Sequence, residues 1–461
     1  MQLFRGNAWT EISGASESFL GDLVRTLSVP VELGTQLGAR FGKLWAYQGQ
    51  LYGSMVHDRR VPAGLTPHVQ HIAQRRGEVC EVRDWRVRPP DQLPWWSVKN
   101  VPWRPYQDEV HQQIMFYGAG VIDASPRSGK TLMAARALDA LGQPAIYIAP
   151  SVSIVRQTYE VFVSYFGSDN VARLDGEARP EERDISRAIV VATAASAVKQ
   201  SAEFYMTRQV LVIDEFHHAA ADTYHQISQR CEHVFHRLCF TGTHFRTGAD
   251  RLAMEAICSA VLRKIDVEEL IASGYLAEPR VIFSHHRSSP LGRRGMDFEA
   301  AYQLGIVDHE QRNAMVVGIA NTLACAGESV LVLTRRRAHA DALGAMIHNA
   351  CVVKGGEGSL TSKAVRDFNA GRFQVLVGTS VIGEGVDVPR ASALVFASAG
   401  NDGVMMMQSY FRPLTARAGK HVGRIYDFID THQGTLLKHS ENRVGMARQQ
   451  LGIRRVGAAG L

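Results

Sequence analysis

Lys130 and Thr131 close the run DASPRSGKT, residues 123–131, between an apolar stretch, AGVIDA, and one with apolar residues at helical spacing, KTLMAARALDAL. A turn of this composition between strand and helix suits the holding of a phosphate chain. Ser128 and Gly129 bring backbone N–H groups near an oxyanion, Lys130 reaches the β- and γ-phosphates, and the Thr131 hydroxyl is the expected Mg2+ ligand. Ala124 stands where the strict pattern begins with glycine, and Arg127 replaces its middle glycine. Neither change removes a ligand. Taken alone, the run also fits a chance strand, turn and helix.

A second apolar stretch, QVLVIDEF, ends in Asp214 and Glu215. Carboxylates at a strand end complement a phosphate loop: Asp214 holds the Mg2+ shell, and Glu215 positions or deprotonates the attacking water. His217 extends the run to Asp-Glu-x-His, which is more specific than a bare acidic pair. Loop and carboxylates together predict a machine that consumes ATP.

Composition bounds what that machine is. The 461 residues have room for about three domains. A chain 46% hydrophobic and 21% charged can bury large cores, and no stretch approaches about 18 uninterrupted apolar residues. MQLFRGNAWTEIS lacks a basic-then-apolar leader, so a cytoplasmic address without a membrane partner is expected. The six cysteines lie apart without a C-x-x-C pair and read as structural thiols. His217-His218 and His285-His286 have no further ligands at metal spacing and read as solvated or core histidines. A net charge of +6 suits a polyanionic partner without proving one.

The elements that must position these groups fall into three parts. All six tryptophans lie between Trp9 and Trp103, which marks off an N-terminal part. Within it, KLWAYQGQLYGSMV predicts a hairpin about Gln-Gly, TPHVQHIAQRRG a Thr-capped helix with a Gly stop, and EVCEVRDW a strand. RPPDQLPWWSVKNVPW reads as a linker. Strands then alternate with helical patterns from Arg104 to about Arg280, and again from about Val316 to Asp430, as parallel sheets require.

The ordered series RPYQ, ASPRSGKT, IAPSVSIVRQ, DEFHH, FTGTHFR, VGTSVIGEGVDVP and QSYFRPLTARAGK resembles the motifs of superfamily 2 helicases. It is most similar to the branch holding XPB, the phage recombination helicase UvsW and the translocating subunits of restriction enzymes. VEELIASGYLAEPR and IYDFID resemble stretches of the same branch, and the likeness runs from about residue 104 to 445. It implies an α/β fold: two tandem RecA-like parallel-sheet domains with a small N-terminal α/β accessory domain. The implied boundaries are 1–98 for a DNA-binding accessory domain, 99–280 for the ATP-binding lobe, 281–315 for a linker, and 316–461 for a second lobe with a helical tail.

The resemblance also implies roles. Arg104 and Gln107 would recognise adenine, although RPYQ equally opens a helix; Gly385, Asp387 and Gln408 would line the nucleotide site. His217, Thr241 and Thr243 would couple ATP state to lobe movement. Pro150, Ser151, Gln157 and Thr193 in the first lobe, with Thr379 in the second, would grip a nucleic-acid backbone without reading bases. Each of these alone is as good a turn or cap residue as a contact.

Departures concentrate in the last motif, usually Gln-x-x-Gly-Arg-x-x-Arg. Here Gln408 is followed by Phe411 in the glycine place, Arg412, and Thr415 where the second arginine belongs. An arginine brought to the transition state is worth roughly 10³ to 10⁵ in rate, so Arg412 and Arg417 are expected to share that role. His244 replaces a usual proline. The expected function is an ATP- and Mg2+-dependent helicase or translocase, monomeric, acting on single-stranded, forked or branched DNA ahead of RNA, in recombination, repair or replication. One alternative is a duplex translocase serving partner proteins as the motor of a nuclease or restriction complex. Another is a nucleotide-regulated DNA-binding module with weak ATPase. The N-terminal tryptophans, with Arg59-Arg60 and Arg75-Arg76, could form a stacking surface, but buried aromatic anchors are the favoured reading. The tail from His439 is expected to pack on the second lobe with a basic end exposed.

Overall fold

The computed structural model describes residues 1–32, 40–89, 103–216, 221–242, 248–286, 296–353, 358–379, 388–417 and 420–452. It divides into two compact units, Met1–Ser125 with Gly129–Ile265, and Asp266–Leu461 with Pro126–Ser128.

The first unit opens with strands β1 (Gln2–Arg5), β2 (Trp9–Ser13), β3 (Ser28–Val31), β4 (Lys43–Tyr47), β5 (Gln50–Ser54), β6 (Arg60–Pro62) and β7 (Glu81–Asp84). They form a four-stranded sheet, β6-β2-β1-β7, and a three-stranded one, β3-β5-β4. The expected hairpin is β4–β5. Gln48 and Gly49 both have positive φ, 47° and 78°, as a two-residue turn matched to strand twist requires. Helices α1 (Glu17–Thr26) and α2 (Thr66–Arg75) cover this part. Thr66 is not the cap of α2. It is the first helical residue, and its hydroxyl donates to Ala63 O at 2.7 Å.

Nor are the described tryptophans interior anchors. Trp85 is 62% exposed, and Trp9, Trp45 and Trp103 are half-buried. The core is filled instead by Phe19, Phe41 and aliphatic side chains, together with Ala253 and Ala256 of the helix Gly248–Cys258. That helix belongs to the following sheet, so the N-terminal part and the sheet share a core. At Gly64 a Cβ would lie 2.0 Å from Glu255 O, so only glycine admits the approach. Arg237 Nε adds a bond to Asn7 O, 3.1 Å.

The large sheet of this unit holds β8 (Ala119–Ala124), β9 (Ala145–Ala149), β10 (Val171–Leu174), β11 (Ile189–Thr193), β12 (Val210–Ile213), β13 (His236–Thr241) and β14 (Val261–Ile265). Its order is β10-β11-β9-β12-β13-β8-β14, with the pairings parallel. Residues of β9, β11 and β12 are buried throughout, the continuous apolar reading of strands covered on both faces. Among its helices are α3 (Pro105–Tyr117), α4 (Lys130–Leu141) and α5 (Val152–Phe166).

The second unit carries β15 (Glu278–His286), β16 (Val330–Leu333), β17 (Ala350–Val353), β18 (Val375–Gly378), β19 (Ala393–Phe396) and β20 (Val422–Asp430), parallel in the order β15-β20-β19-β16-β18-β17. Sequence reasoning divided β15 between the first lobe and the linker. It is an edge strand of the second sheet, paired with β20 from Glu278↔Val422 to His286↔Asp430. The tail helix packs on this unit as expected, and Arg454 and Arg455 lie outside the described residues. Arg448 of the helix Gly434–Leu451 is exposed, but Arg443 is fully buried.

Two wholly buried ion pairs cross this unit, Arg312–Asp430 at 2.8 Å and Arg443–Asp427 at 2.7 Å. Arg312→Ala strands the Asp430 carboxylate in the interior and is expected to cost about 3–5 kcal/mol, read as a lowered denaturant midpoint. Acid lability is expected as well. His225 and His339 are buried, and desolvation depresses each to about 3. The unfolded chain takes up these protons below about pH 6.5 while the folded one refuses them until about pH 3, so stability falls as pH drops through that window. Unfolding midpoints at pH 7 and pH 5 check this, with the lower value expected at pH 5 and a smaller difference for His225→Asn.

Candidate active site

The carboxyl edge of the first sheet gathers the chemistry. β12, β13 and β8 are neighbours in that order, and Thr241 at the end of β13 pairs with Asp123 of β8. The acidic turn after β12 and the loop after β8 therefore open one strand apart, in the crevice where parallel α/β sheets hold ligands.

Gly129 caps the start of α4 with φ 85°, and a Cβ there would lie 2.7 Å from Gln107 Nε2. Glycine is needed there for its conformation, since the glutamine amide is the end of a side chain that can move aside. Arg127 is also left-handed, φ 71°. The loop thus presents the start of α4, with its unpaired N–H groups and positive dipole end, to an anion. Gly129→Ala is expected to weaken ATP binding by about tenfold, an order of magnitude taken from the cost of a strained left-handed residue, as equilibrium titration with a fluorescent ATP analogue would show.

Lys130 Nζ lies 3.6 Å from Glu215 Oε1, with the two side chains 11% and 16% exposed. Glu215 is itself left-handed, φ 46°, and its N–H donates to Asp214 Oδ1 at 2.9 Å. Burial, followed by the Glu215 carboxylate, pushes the Asp214 carboxyl up to about 6, while Lys130 acts in the opposite direction. Thr131 at the start of α4 and Asp214 just after β12 are oxygen donors of the kind that would hold a Mg2+ ion, which when bound neutralises phosphate charge.

Tyr147 of β9 was not singled out by any motif. It is fully buried, packs edge-on to Phe162 at 5.3 Å, and its phenol is pushed well above its ordinary pKa by burial and then by the Asp214 charge. The only sequence signal is a hydroxyl inside the otherwise aliphatic strand AIYIA.

Gln107 is 2% exposed, and its Oε1 accepts from Arg104 N at 3.1 Å at the start of α3. Arg104 Nη1 donates to the Tyr106 hydroxyl, 2.8 Å. RPYQ is thus built into a helix start whose glutamine amide abuts the phosphate loop.

Pro150 and Ser151 follow β9, and Thr193 ends β11, at the same sheet edge. Ser151 Oγ accepts from Ile154 N and Thr193 Oγ from Ser196 N, each at 3.3 Å, so both hydroxyls cap helices. Gln157 is exposed on α5. In the second unit, Thr379 follows β18 and is 5% exposed. His217, Thr243, His244, Gly385 and Asp387 lie outside the described residues.

Gln408 stands on the helix Gly403–Tyr410 of the second unit. Phe411, in the glycine place, is 3% exposed and serves as a core residue. Arg412 opens the turn Arg412–Leu414 and is 8% exposed, whereas Arg417 is exposed. Beyond it, Lys420 Nζ donates to Ala391 O at 2.6 Å, and burial lowers its pKa to about 8. The two candidate arginines therefore occupy different settings, one set into its lobe and one on the surface. Among the described residues no group of His, Cys, Asp and Glu forms a separate metal cluster, and no helix is long and apolar enough to cross a membrane.

Residues 100–246 match the family described as the res subunit of type III restriction enzymes, and residues 315–419 match the helicase conserved C-terminal domain. A Rad25 protein of Haloarcula marismortui, named as a DNA 3'-5' helicase, is 26% identical over 64% of this chain and 47% of its own length. The ATP-dependent DNA helicase uvsW of Enterobacteria phage T4 is 20% identical over 65% of each chain. This chain thus spans 47% and 65% of those relatives. A fragment of an HsdR subunit of a type I restriction enzyme from Vibrio vulnificus shares the fold, with a TM-score of 0.58 at 18% identity, covering 78% of this chain and 68% of that one.

Proposed function

Because this chain belongs to the superfamily 2 helicases, in the branch of the ResIII, XPB and UvsW proteins, we propose that it hydrolyses ATP to move along DNA. The observation that carries this reading is the approach of Lys130 to Glu215, 3.6 Å, across the strand ends of the first sheet. A cation for the phosphates and a base for the water then stand in one place.

In this mechanism the start of α4 and Lys130 hold the β- and γ-phosphates, and Thr131 and Asp214 would hold Mg2+, which would supply positive charge to those phosphates. Glu215 accepts a proton from the water that attacks the γ-phosphorus as the bond to the β-phosphate oxygen breaks. ADP and phosphate leave. Arg412 supplies positive charge to the equatorial oxygens, with Arg417 as its candidate companion. Pro150, Ser151, Gln157, Thr193 and Thr379 grip the DNA backbone, and alternation between ATP-bound and released states advances them along a strand.

Single-stranded, forked or branched DNA is the proposed substrate, and 3'-5' the proposed direction, supported by the names of the relatives. Strand displacement on duplexes carrying a 3' or a 5' single-stranded tail tests both, with unwinding of the 3'-tailed duplex expected and its absence on every tailed or forked substrate counting against the helicase reading. A second reading, a duplex translocase driving a nuclease complex, is favoured by the match to the restriction-enzyme res subunit. It predicts DNA-stimulated hydrolysis and translocation without strand displacement.

A further inference from the structure

We propose that Tyr410, Asp427 and Arg443 form a positioning device that fixes the helix Gly403–Tyr410 at both ends and so sets the place of Arg412. The proposal rests on the reading of Arg412 as the charge supplied to the γ-phosphate.

The guanidinium of Arg443 is buried in the tail helix and spends its donors on two elements. Nε donates to Asp427 Oδ2 at 2.7 Å and Nη2 to Asp427 Oδ1 at 3.1 Å and to Phe428 O at 2.9 Å, all on β20. Nη1 donates to Gly400 O at 3.1 Å, in the segment that leads into the motif helix. At the other end of that helix the Tyr410 hydroxyl, fully buried, donates to Asp427 Oδ2 at 2.6 Å. Tyr410 is two residues from Arg412, and its ring packs edge-on to Phe396 of β19 at 5.6 Å.

One carboxylate thus receives both the tyrosine and the arginine, and one arginine touches both the carboxylate and the loop before the helix. Gly403, at the start of that helix, lies against the Met446 side chain of the tail helix. A buried charge network is weak evidence for stability and better evidence for a fixed geometry. A misplacement of about 1 Å at a catalytic group can cost on the order of 100-fold. The tail helix therefore belongs to the motor, holding the arginine that a sequence reading would leave to the last motif alone.

The test is Tyr410→Phe, which keeps the ring and removes only the hydroxyl. DNA-stimulated kcat is expected to fall by about fivefold or more, by the cost of such a displacement, with ATP-analogue affinity close to the parent and an unfolding midpoint lowered only as the loss of one buried hydrogen bond requires. In an Arg412→Ala background the same change is expected to cause no further loss, because it acts through that arginine. A kcat loss of less than about fivefold, or an additive loss in the double variant, overturns the proposal. Arg412→Ala alone, unchanged in turnover, would instead remove the reading of Arg412 on which it rests.

Discussion

Replacing Glu215 with glutamine is expected to lower ATP turnover by about 10²–10⁴-fold, the range for removing a positioned base, while nucleotide affinity stays within about threefold of the parent because binding relies on other groups. The substitution keeps the shape and the left-handed backbone, φ 46°, and removes only the charge. It also relieves Asp214, since the Glu215 carboxylate is the second cause of the raised Asp214 pKa after burial. Single-turnover hydrolysis and equilibrium binding separate the two effects. A turnover loss matched by an equal loss of affinity would show that Glu215 holds the nucleotide and leaves the water to another group.

The second large effect concerns the arginines. Arg412→Ala is expected to reduce DNA-stimulated kcat by about 10³-fold or more, the lower end for a finger arginine, with little change in ATP affinity. Arg417→Ala should cost far less. Arg412 is set into its lobe, 8% exposed, in the turn two residues past the helix Gly403–Tyr410. Arg417 is exposed beside the Lys420 bridge, where a long side chain has many rotamers to lose. Equal losses in the two variants would restore the shared role expected from sequence. No loss in Arg412→Ala would move the charge to another residue altogether.

Local pattern made parts of this architecture legible. AGVIDA followed by SPRSGKT and a helical stretch became β8, loop and α4 because strand, turn and helix there are set by neighbours in the chain. The β4–β5 hairpin followed from its Gln48-Gly49 turn for the same reason. What was not legible depends on distant partners. β15 gives no sign of its sheet, since its parallel partner β20 lies far along the chain. Gly64 reads as a loop glycine until Glu255 comes against it.

Site residues divide the same way. Motif spacing marked Lys130, Asp214 and Glu215, and the fold brings them to neighbouring ends of one sheet. Tyr147 and Arg443 were missed because a tyrosine in a strand and an arginine in a basic tail look ordinary. Only burial against Asp214 and Asp427 gives them a charge to answer. Phe411 shows the opposite case. The departure from the motif's glycine is a core side chain, 3% exposed, a role that depends on neighbours distant in the chain.

ATP hydrolysis at Lys130, Asp214 and Glu215 is proposed to be driven by nucleic acid. The most direct measurement is the steady-state ATPase rate of the full chain with and without forked DNA, beside Lys130→Ala under the same conditions. A marked rise with DNA is expected in the parent chain, and no measurable rate with or without DNA in the variant. Hydrolysis that no DNA or RNA stimulates, or a Lys130→Ala rate equal to the parent, would contradict it.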